Sequence, residues 1–212
     1  MQPKPNIGII GAGRLGTALA RRFSKSGYSV TIVNSKAPES LSLILKVLLP
    51  DVIAKPIPEL VNTSEVIVLA IPLHEYVSLD PALFKGKVVI DAMNYWPPTE
   101  GVIDAFSGDL SSSEVIQSYF ADAHVVKSLN HIAYNELEQH TLPIGSKDRR
   151  AIILAGDDAG AKQTVSDLID TIGFDPIDAG GLREGMKFQP DTSLFNTRYN
   201  AAEAVNQLTK HT

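Results

Sequence analysis

The stretch Asn6–Arg22, NIGIIGAGRLGTALARR, runs from an apolar strand straight into Gly11-x-Gly13-x-x-Gly16 and then into a helical pattern. That succession suits a nucleotide pyrophosphate. Gly11 permits the tight strand-to-helix turn, Gly13 lets the backbone approach the phosphates without a Cβ in the way, and Gly16 lets the helix pack closely on the strand. Arg14 and Leu15 lie within the turn, and the helix start offers unpaired N–H groups and the positive end of its dipole to an anion. A glycine triplet alone also serves plain structural turns. Here the preceding strand and the following helix are both legible, which favours dinucleotide binding.

Outward from this turn, strand and helix patterns alternate along the chain. Short runs rich in Val and Ile predict strands near Ile7–Ile10, Ser29–Val33, Val52–Ala54, Val66–Ile71, Val88–Ala92, Val125–Leu129, Ile152–Ala155 and Asp175–Asp178. Such runs are expected where helices cover both sheet faces. Helices are predicted over Arg14–Ser26, Glu39–Leu48, Ser113–Phe120 and Ala159–Ile172, with a final one over Thr192–Gln207. The Gly-rich segment Ala179–Pro190 reads as a surface loop. The fold class is α/β, a doubly wound, mainly parallel Rossmann-type sheet with a short C-terminal helical extension. Residues 1–180 form the dinucleotide-binding domain, and residues 181–212 are a loop and helix that complete an acceptor pocket or a dimer interface. Asp157-Asp158 precedes a helix with no third ligand nearby, so it reads as a helix cap rather than a metal site.

The second strand ends in Asn34-Ser35-Lys36. NAD-specific proteins carry an Asp or Glu about 20 residues beyond the glycines to hold the ribose hydroxyls. A carboxylate would repel a 2′-phosphate, whereas an amide, a hydroxyl and an ammonium donate to it, and Arg14 adds a nearby cation. NADP is therefore expected over NAD. Ordinary solvated turn residues would look the same, and Lys36 is a point charge rather than a fork.

With 212 residues and a formal net charge of −5, the chain lacks the basic faces that nucleic-acid or membrane-surface binding selects. No apolar run is long enough to span a bilayer and no signal-peptide core is evident, so the cytoplasm is the expected compartment. The chain has no cysteine, which excludes a disulfide framework, a thiolate nucleophile and a Cys-ligated metal. Redox chemistry would have to be carried by cofactors.

In open parallel sheets the ligand lies beyond the carboxyl ends of the strands. Those ends carry Ala70-Ile71-Pro72-Leu73-His74, then Asp91 to Pro98 with Asn94 and Trp96, then Leu129 to Tyr134 with Asn130, and Ala179 to Leu182. Ala70, Ile71 and Pro72 would border the cofactor path. Asn94 and Asn130 can bond a carboxamide or ring carbonyl, while Trp96, Ile132 and Tyr134 offer flat apolar surface to a planar ring. Either Asn can equally cap its own loop, and Trp96 can simply anchor one. His74 and His131 are the acid–base side chains at these ends, and either can instead be a hydrogen-bonded wall residue. No catalytic residue is assigned. Hydride transfer between a nicotinamide and a flavin-like ring needs stacked rings and exclusion of water but no enzyme nucleophile. Ketone or imine reduction would call for a positioned proton donor, and no Tyr-x-x-x-Lys arrangement occurs. Lys127, within the sixth strand, is expected to be structural.

Taken together, the glycine turn, the Asn-Ser-Lys end of the second strand, the Val-Ile-Val-Leu-Ala-Ile-Pro strand, the Asp-Ala-Met-Asn turn, the Val-Val-Lys-Ser-Leu-Asn segment and the late Ala-Gly-Asp-Asp and Asp-Ala-Gly-Gly-Leu resemble the NADP oxidoreductase, coenzyme F420-dependent family. The chain is also similar to the cytoplasmic oxidoreductase domain of the transmembrane ferric reductases. The resemblance implies NADP(H) over the glycine turn and a deazaflavin or flavin as co-substrate against the nicotinamide, in a pocket built partly by Leu129–Tyr134 and the C-terminal region. It also implies a homodimer. Archaeal deazaflavin reductases carry a His at the place of Asn130, so the deazaflavin contacts do not transfer residue by residue. The alternatives are an imine or keto-acid reductase, which should bring a large helical C-terminal domain, and a non-catalytic NADP(H)-sensing protein.

Overall fold

The computed structural model describes residues 4–35 and 38–210. In chain order, β1 (Ile7–Ile10), α1 (Arg14–Lys25), β2 (Val30–Val33), α2 (Ser42–Leu48), β3 (Val52–Ala54), α3 (Ile57–Thr63), β4 (Val66–Leu69) and β5 (Val88–Asp91) build the first half. There follow α4 (Pro97–Glu100), α5 (Ser112–Tyr119), β6 (His124–Ser128), α6 (Glu136–Gln139), β7 (Ala151–Gly156), α7 (Ala159–Thr171), β8 (Asp175–Asp178) and α8 (Ala201–Lys210). The strands form one sheet in the order β3-β2-β1-β4-β5-β6-β7-β8. From β3 to β6 all pairs are parallel, and the chain reverses its winding between β1 and β4. This is the doubly wound Rossmann-type arrangement expected, with its ligand crevice at the switch point.

Strand alternation sorts the core onto two faces. Ile7, Ile9, Ile90 and Val126 pack with α1 and α7 through Leu19, Phe23, Val165 and Ile169. Ile10, Ile67, Val89 and Val125 pack on the other face with Ile116 and Phe120 around α5. Of the Asp157-Asp158 pair only Asp158 caps α7, accepting from the Ala161 N–H at 2.7 Å; Asp157 instead accepts from the Leu182 N–H at 2.8 Å, tying down the later segment.

Three expectations are corrected. First, β7 runs antiparallel to β6, and β8 follows β7 in parallel. Ala179–Leu182 therefore leaves the sheet at the edge opposite the glycine turn, not beside it. Second, that segment is not a plain surface loop. Leu182–Phe188 forms a 3₁₀ turn whose Leu182, Gly185 and Phe188 are buried against the sheet. Third, the last helix begins at Ala201 rather than Thr192. Asn200 stops it with a reciprocal cap, its side chain accepting from the Glu203 N–H while Glu203 accepts from the Asn200 N–H. Leu194 is buried with Ile153, Phe188 and Leu208, so residues upstream of the helix serve as core without being helical. Among the described residues, no helix is long and apolar enough to cross a membrane.

Candidate functional site

The three glycines of the turn do different things. Gly11 ends β1 at φ +115°, and a Cβ there would lie 2.2 Å from the Ala70 carbonyl oxygen. A Cβ on Gly16 would lie 1.8 Å from the Gly11 carbonyl oxygen. Both are required by the fold itself. Gly13 has an ordinary extended backbone (φ −74°, ψ −168°), and among the described residues nothing lies within 4 Å of where its Cβ would be. Among the described residues, neither a positive φ nor a close neighbour requires a glycine there, beyond the modest preference for glycine at a helix N-cap. It opens a concavity at the start of α1, where no side chain caps the helix and no acid occupies the first turn. By contrast, α5 and α7 carry Ser111 and Asp158 as caps. The N–H groups opening α1 thus face a cleft that a phosphate group fits.

The cleft has two lobes joined at Gly13 and Ala70–Pro72. One, of about 350 Å³, is lined by Gly11, Asn34, Ser35, Ile57, Glu75 and Leu79, among others. The other, of about 390 Å³, is lined by Gly13, Arg14, Leu15, Ala92, Met93, Asn94 and Trp96 besides the shared wall. Of the residues expected to recognise a 2′-phosphate, Asn34 and Ser35 line the first lobe, and Lys36 lies outside the described residues. The Asn34 amide also bonds the Ser40 hydroxyl at 3.0 Å. Glu75, which the sequence reading passed over, is an acid in this lobe. His74, by contrast, does not line either lobe. It is half exposed and lies 3.5 Å from Glu75, which does line the first lobe.

At the far end, the loops after β5 and β6 interlock. Asn94 donates to the Asn130 carbonyl at 2.8 Å, and the Asn130 amide donates to Asn94 Oδ1 at 3.1 Å. Asn130 also donates to the Phe188 carbonyl at 3.0 Å, and its Oδ1 faces His131 Nδ1 at 3.2 Å. The side chain of Asn130 is buried and consumed by these bonds. It stands behind the cleft and reaches it only through its bonds to Asn94, a correction to its expected direct contact. His131 is buried too. Its Nε2 accepts from the Ile153 N–H at 3.0 Å, which leaves Nδ1 as the protonated nitrogen donating to Asn130. Burial, then the nearby Arg150 and Lys127 charges, push its pKa down to about 3. His131 is therefore a neutral wall residue near pH 7. Leu129, just before this pair, sits at φ +62° although buried, a strained conformation at the end of β6.

Two further features were not legible in sequence. The C-terminal segment crosses back over the sheet to reach the cleft rim, where Phe195 meets Trp96 edge-on with ring centroids 5.6 Å apart. The Arg14 guanidinium lies 5.6 Å from the Tyr134 ring centroid, a cation–π contact beside the pyrophosphate position. Beneath the loop after β5, Lys127 and Asp91 form a buried ion pair at 3.3 Å. Burial lowers the Lys127 pKa, against the opposing pull of Asp91. Among the described residues, no group of three or more His, Asp or Glu side chains is placed to hold a metal ion.

Comparison with known proteins follows the same lines. Residues 6–95 match the family described as NADP oxidoreductase, coenzyme F420-dependent. Metalloreductase STEAP3 of Rattus norvegicus is 32% identical over 181 residues, which is 84% of this chain but 34% of that protein. The chain therefore spans about a third of that relative's length. A solved structure of a hypothetical protein from Sinorhizobium meliloti superposes with a TM-score of 0.80 at 28% identity, covering 92% of this chain and 95% of the other. A structure named as an F420-dependent NADP-reductase, from Arthrobacter sp. FB24, gives 0.72 at 25%, covering 84% and 86%. Together with the glycine turn and its open cleft, these matches place residues 6–95 of this chain in the NADP oxidoreductase, coenzyme F420-dependent family.

Proposed function

We propose that the chain binds NADP(H) across the two lobes and passes hydride between the nicotinamide and a flat redox acceptor of the flavin or deazaflavin class. The observation that carries this reading is Gly13, where neither the backbone conformation nor a close neighbour among the described residues requires a glycine, whereas close approach of a pyrophosphate does. Gly11, Gly13, Arg14, Leu15 and Gly16 hold the pyrophosphate, and Asn34, Ser35 and Lys36 hold the 2′-phosphate. Ala70, Ile71 and Pro72 form the shared wall, and Asn94, fixed by Asn130, orients the nicotinamide amide. The nicotinamide supplies the hydride. The protein's part is to place two rings face to face and exclude water, which requires no nucleophile. Trp96 and Phe195 supply the apolar rim on which the acceptor ring rests. A bound NADP(H) without an acceptor would leave these aromatic side chains without a role in the reaction.

The test is a fluorescence titration with NADPH and NADH, followed by addition of a flavin or a deazaflavin to the NADPH complex while the reduced-nicotinamide absorbance is followed. Tighter binding of NADPH than NADH, with oxidation by one of the rings, supports the reading and names the acceptor. Binding without oxidation by either ring refutes hydride transfer to this class and leaves a nucleotide-binding protein.

A further inference from the structure

The Asp91–Lys127 pair lies outside everything the cofactor reading uses directly. The two residues are register partners on the adjacent strands β5 and β6. Two residues earlier, Val89 and Val125 point into the apolar layer around α5, and strand alternation sends Asp91 and Lys127 to that same face. Both are fully buried where apolar side chains would ordinarily pack. A buried ion pair is seldom more stable than well-packed apolar residues of similar volume. Stability alone therefore does not account for this pair.

Its hydrogen bonds converge on one residue. Asp91 Oδ1 accepts from the Met93 N–H at 3.0 Å, and Lys127 Nζ donates to the Met93 carbonyl. The other Asp91 oxygen accepts from Lys127 Nζ and, at 2.6 Å, from the Ser113 hydroxyl at the start of α5. Asp91, Met93 and Lys127 thus close a ring that grips the Met93 backbone at both its N–H and its C=O. Gly185 lies over this ring: a Cβ there would come within 3.1 Å of Lys127 Cγ, so a larger residue at this position would crowd the lysine stem. The next residue along the gripped chain is Asn94, which lines the second lobe with Ala92, Met93 and Trp96.

We propose that Asp91 and Lys127 are positioning residues for the nicotinamide: by clamping the Met93 backbone they set where Asn94 and Trp96 stand in the cleft. This rests on the NADP(H) reading of that cleft. The plainer role, joining β5 to β6, predicts a different outcome in the following experiment.

Lys127→Met leaves the Asp91 carboxylate buried without its counter-ion and is expected to lower Tm sharply. The double variant Asp91→Asn/Lys127→Met removes both charges at similar volume and is expected to recover most of that loss. Two dissociation constants are then measured on the folded double variant, one for NADPH and one for 2′-phospho-ADP-ribose, which lacks the nicotinamide. Positioning predicts that the fragment binds within about twofold of wild type while NADPH binds roughly tenfold more weakly, a change of about 1.4 kcal/mol. Should the double variant not fold, Ser113→Ala loosens the same ring while keeping both charges, and the same ratio shifts by about two- to fivefold. An unchanged ratio of the two constants, whatever happens to Tm, overturns the proposal and leaves the pair as a strand fastener. Wild-type protein that binds the fragment but gains nothing from the nicotinamide also overturns it while sparing the adenosine half of the reading. Wild-type protein that binds neither overturns both.

Discussion

Replacing Gly13 by alanine adds one methyl group at the start of α1, and the structure allows its consequences to be worked out separately for folding and for binding. On the folding side, the backbone there is ordinary for any residue and no atom of the described residues lies within 4 Å of the new carbon. Loss of glycine's freedom in the unfolded chain favours the variant by about 0.4–1 kcal/mol, and alanine's poorer fit at a helix N-cap takes back a similar amount. The net change lies within about 1 kcal/mol, so Tm should move by no more than roughly 4 °C for a chain of this size. On the binding side, the methyl occupies the approach by which a phosphate oxygen reaches the α1 N–H groups at about 2.9 Å. Losing one charge-assisted hydrogen bond of about 1.5–3 kcal/mol raises the NADPH dissociation constant about ten- to hundredfold. Thermal melting and fluorescence titration of the same preparation read both quantities. Gly11→Ala and Gly16→Ala are the contrast, since their new carbons would meet backbone oxygens at 2.2 and 1.8 Å, and both should melt early with or without ligand. The reasoning is refuted if Gly13→Ala binds NADPH as wild type does, or if it melts as early as Gly11→Ala.

Lys36→Glu places a carboxylate where the 2′-phosphate is expected, and should weaken NADPH binding far more than NADH binding in parallel titrations; equal effects on the two would remove the phosphate assignment. His131, held neutral with a pKa near 3 in the folded protein, takes up a proton on unfolding at any pH between that value and about 6.5. The unfolded state binds more protons in that window, so stability falls as pH falls, by about 2 kcal/mol between pH 6.5 and 4.5 from this residue. Urea unfolding of His131→Gln should show a flatter pH dependence over those two units than wild type, and an equal slope would argue against a buried neutral histidine. Arg150, fully buried, donates to Glu136 at 2.8 Å. Truncating it to Ala strips Glu136 of its partner and leaves a cavity, so the domain should lose about 3–5 kcal/mol, measured by chemical denaturation. Among the described residues Arg150 Nε has no hydrogen-bond partner, and a loss below about 1 kcal/mol would mean that this orphaned group already cancels the pair.

The residues that could be read directly are those whose role is local. Gly11 and Gly16 are set by the turn between one strand and the next helix, and Asp158 by the first turn of α7, each decided within a few positions along the chain. The edge residues Ala70–Pro72 and Asn94 could be placed because a parallel strand's carboxyl end follows from its hydrophobic run and the turn after it. His74 looked equivalent by the same rule, yet within the 3₁₀ turn over Leu73–Ser78 it is Glu75 and Ser78, not His74, that line the lobe.

By itself, then, the sequence determined the α/β alternation, the glycine turn and the binding edge of β1 to β6, since each depends on short-range backbone geometry and periodic burial. Tertiary structure decided what depends on contacts between distant residues. The reversal of β7 sent Ala179–Leu182 to the opposite edge and brought Leu182–Phe188 back across the sheet, which in turn engaged the Asn130 amide at the Phe188 carbonyl. The register of β5 on β6 joined Asp91 to Lys127 across 36 residues of chain. Read along the sequence, either one is a single charge at a strand end; only pairing on one buried face turns two such charges into a clamp.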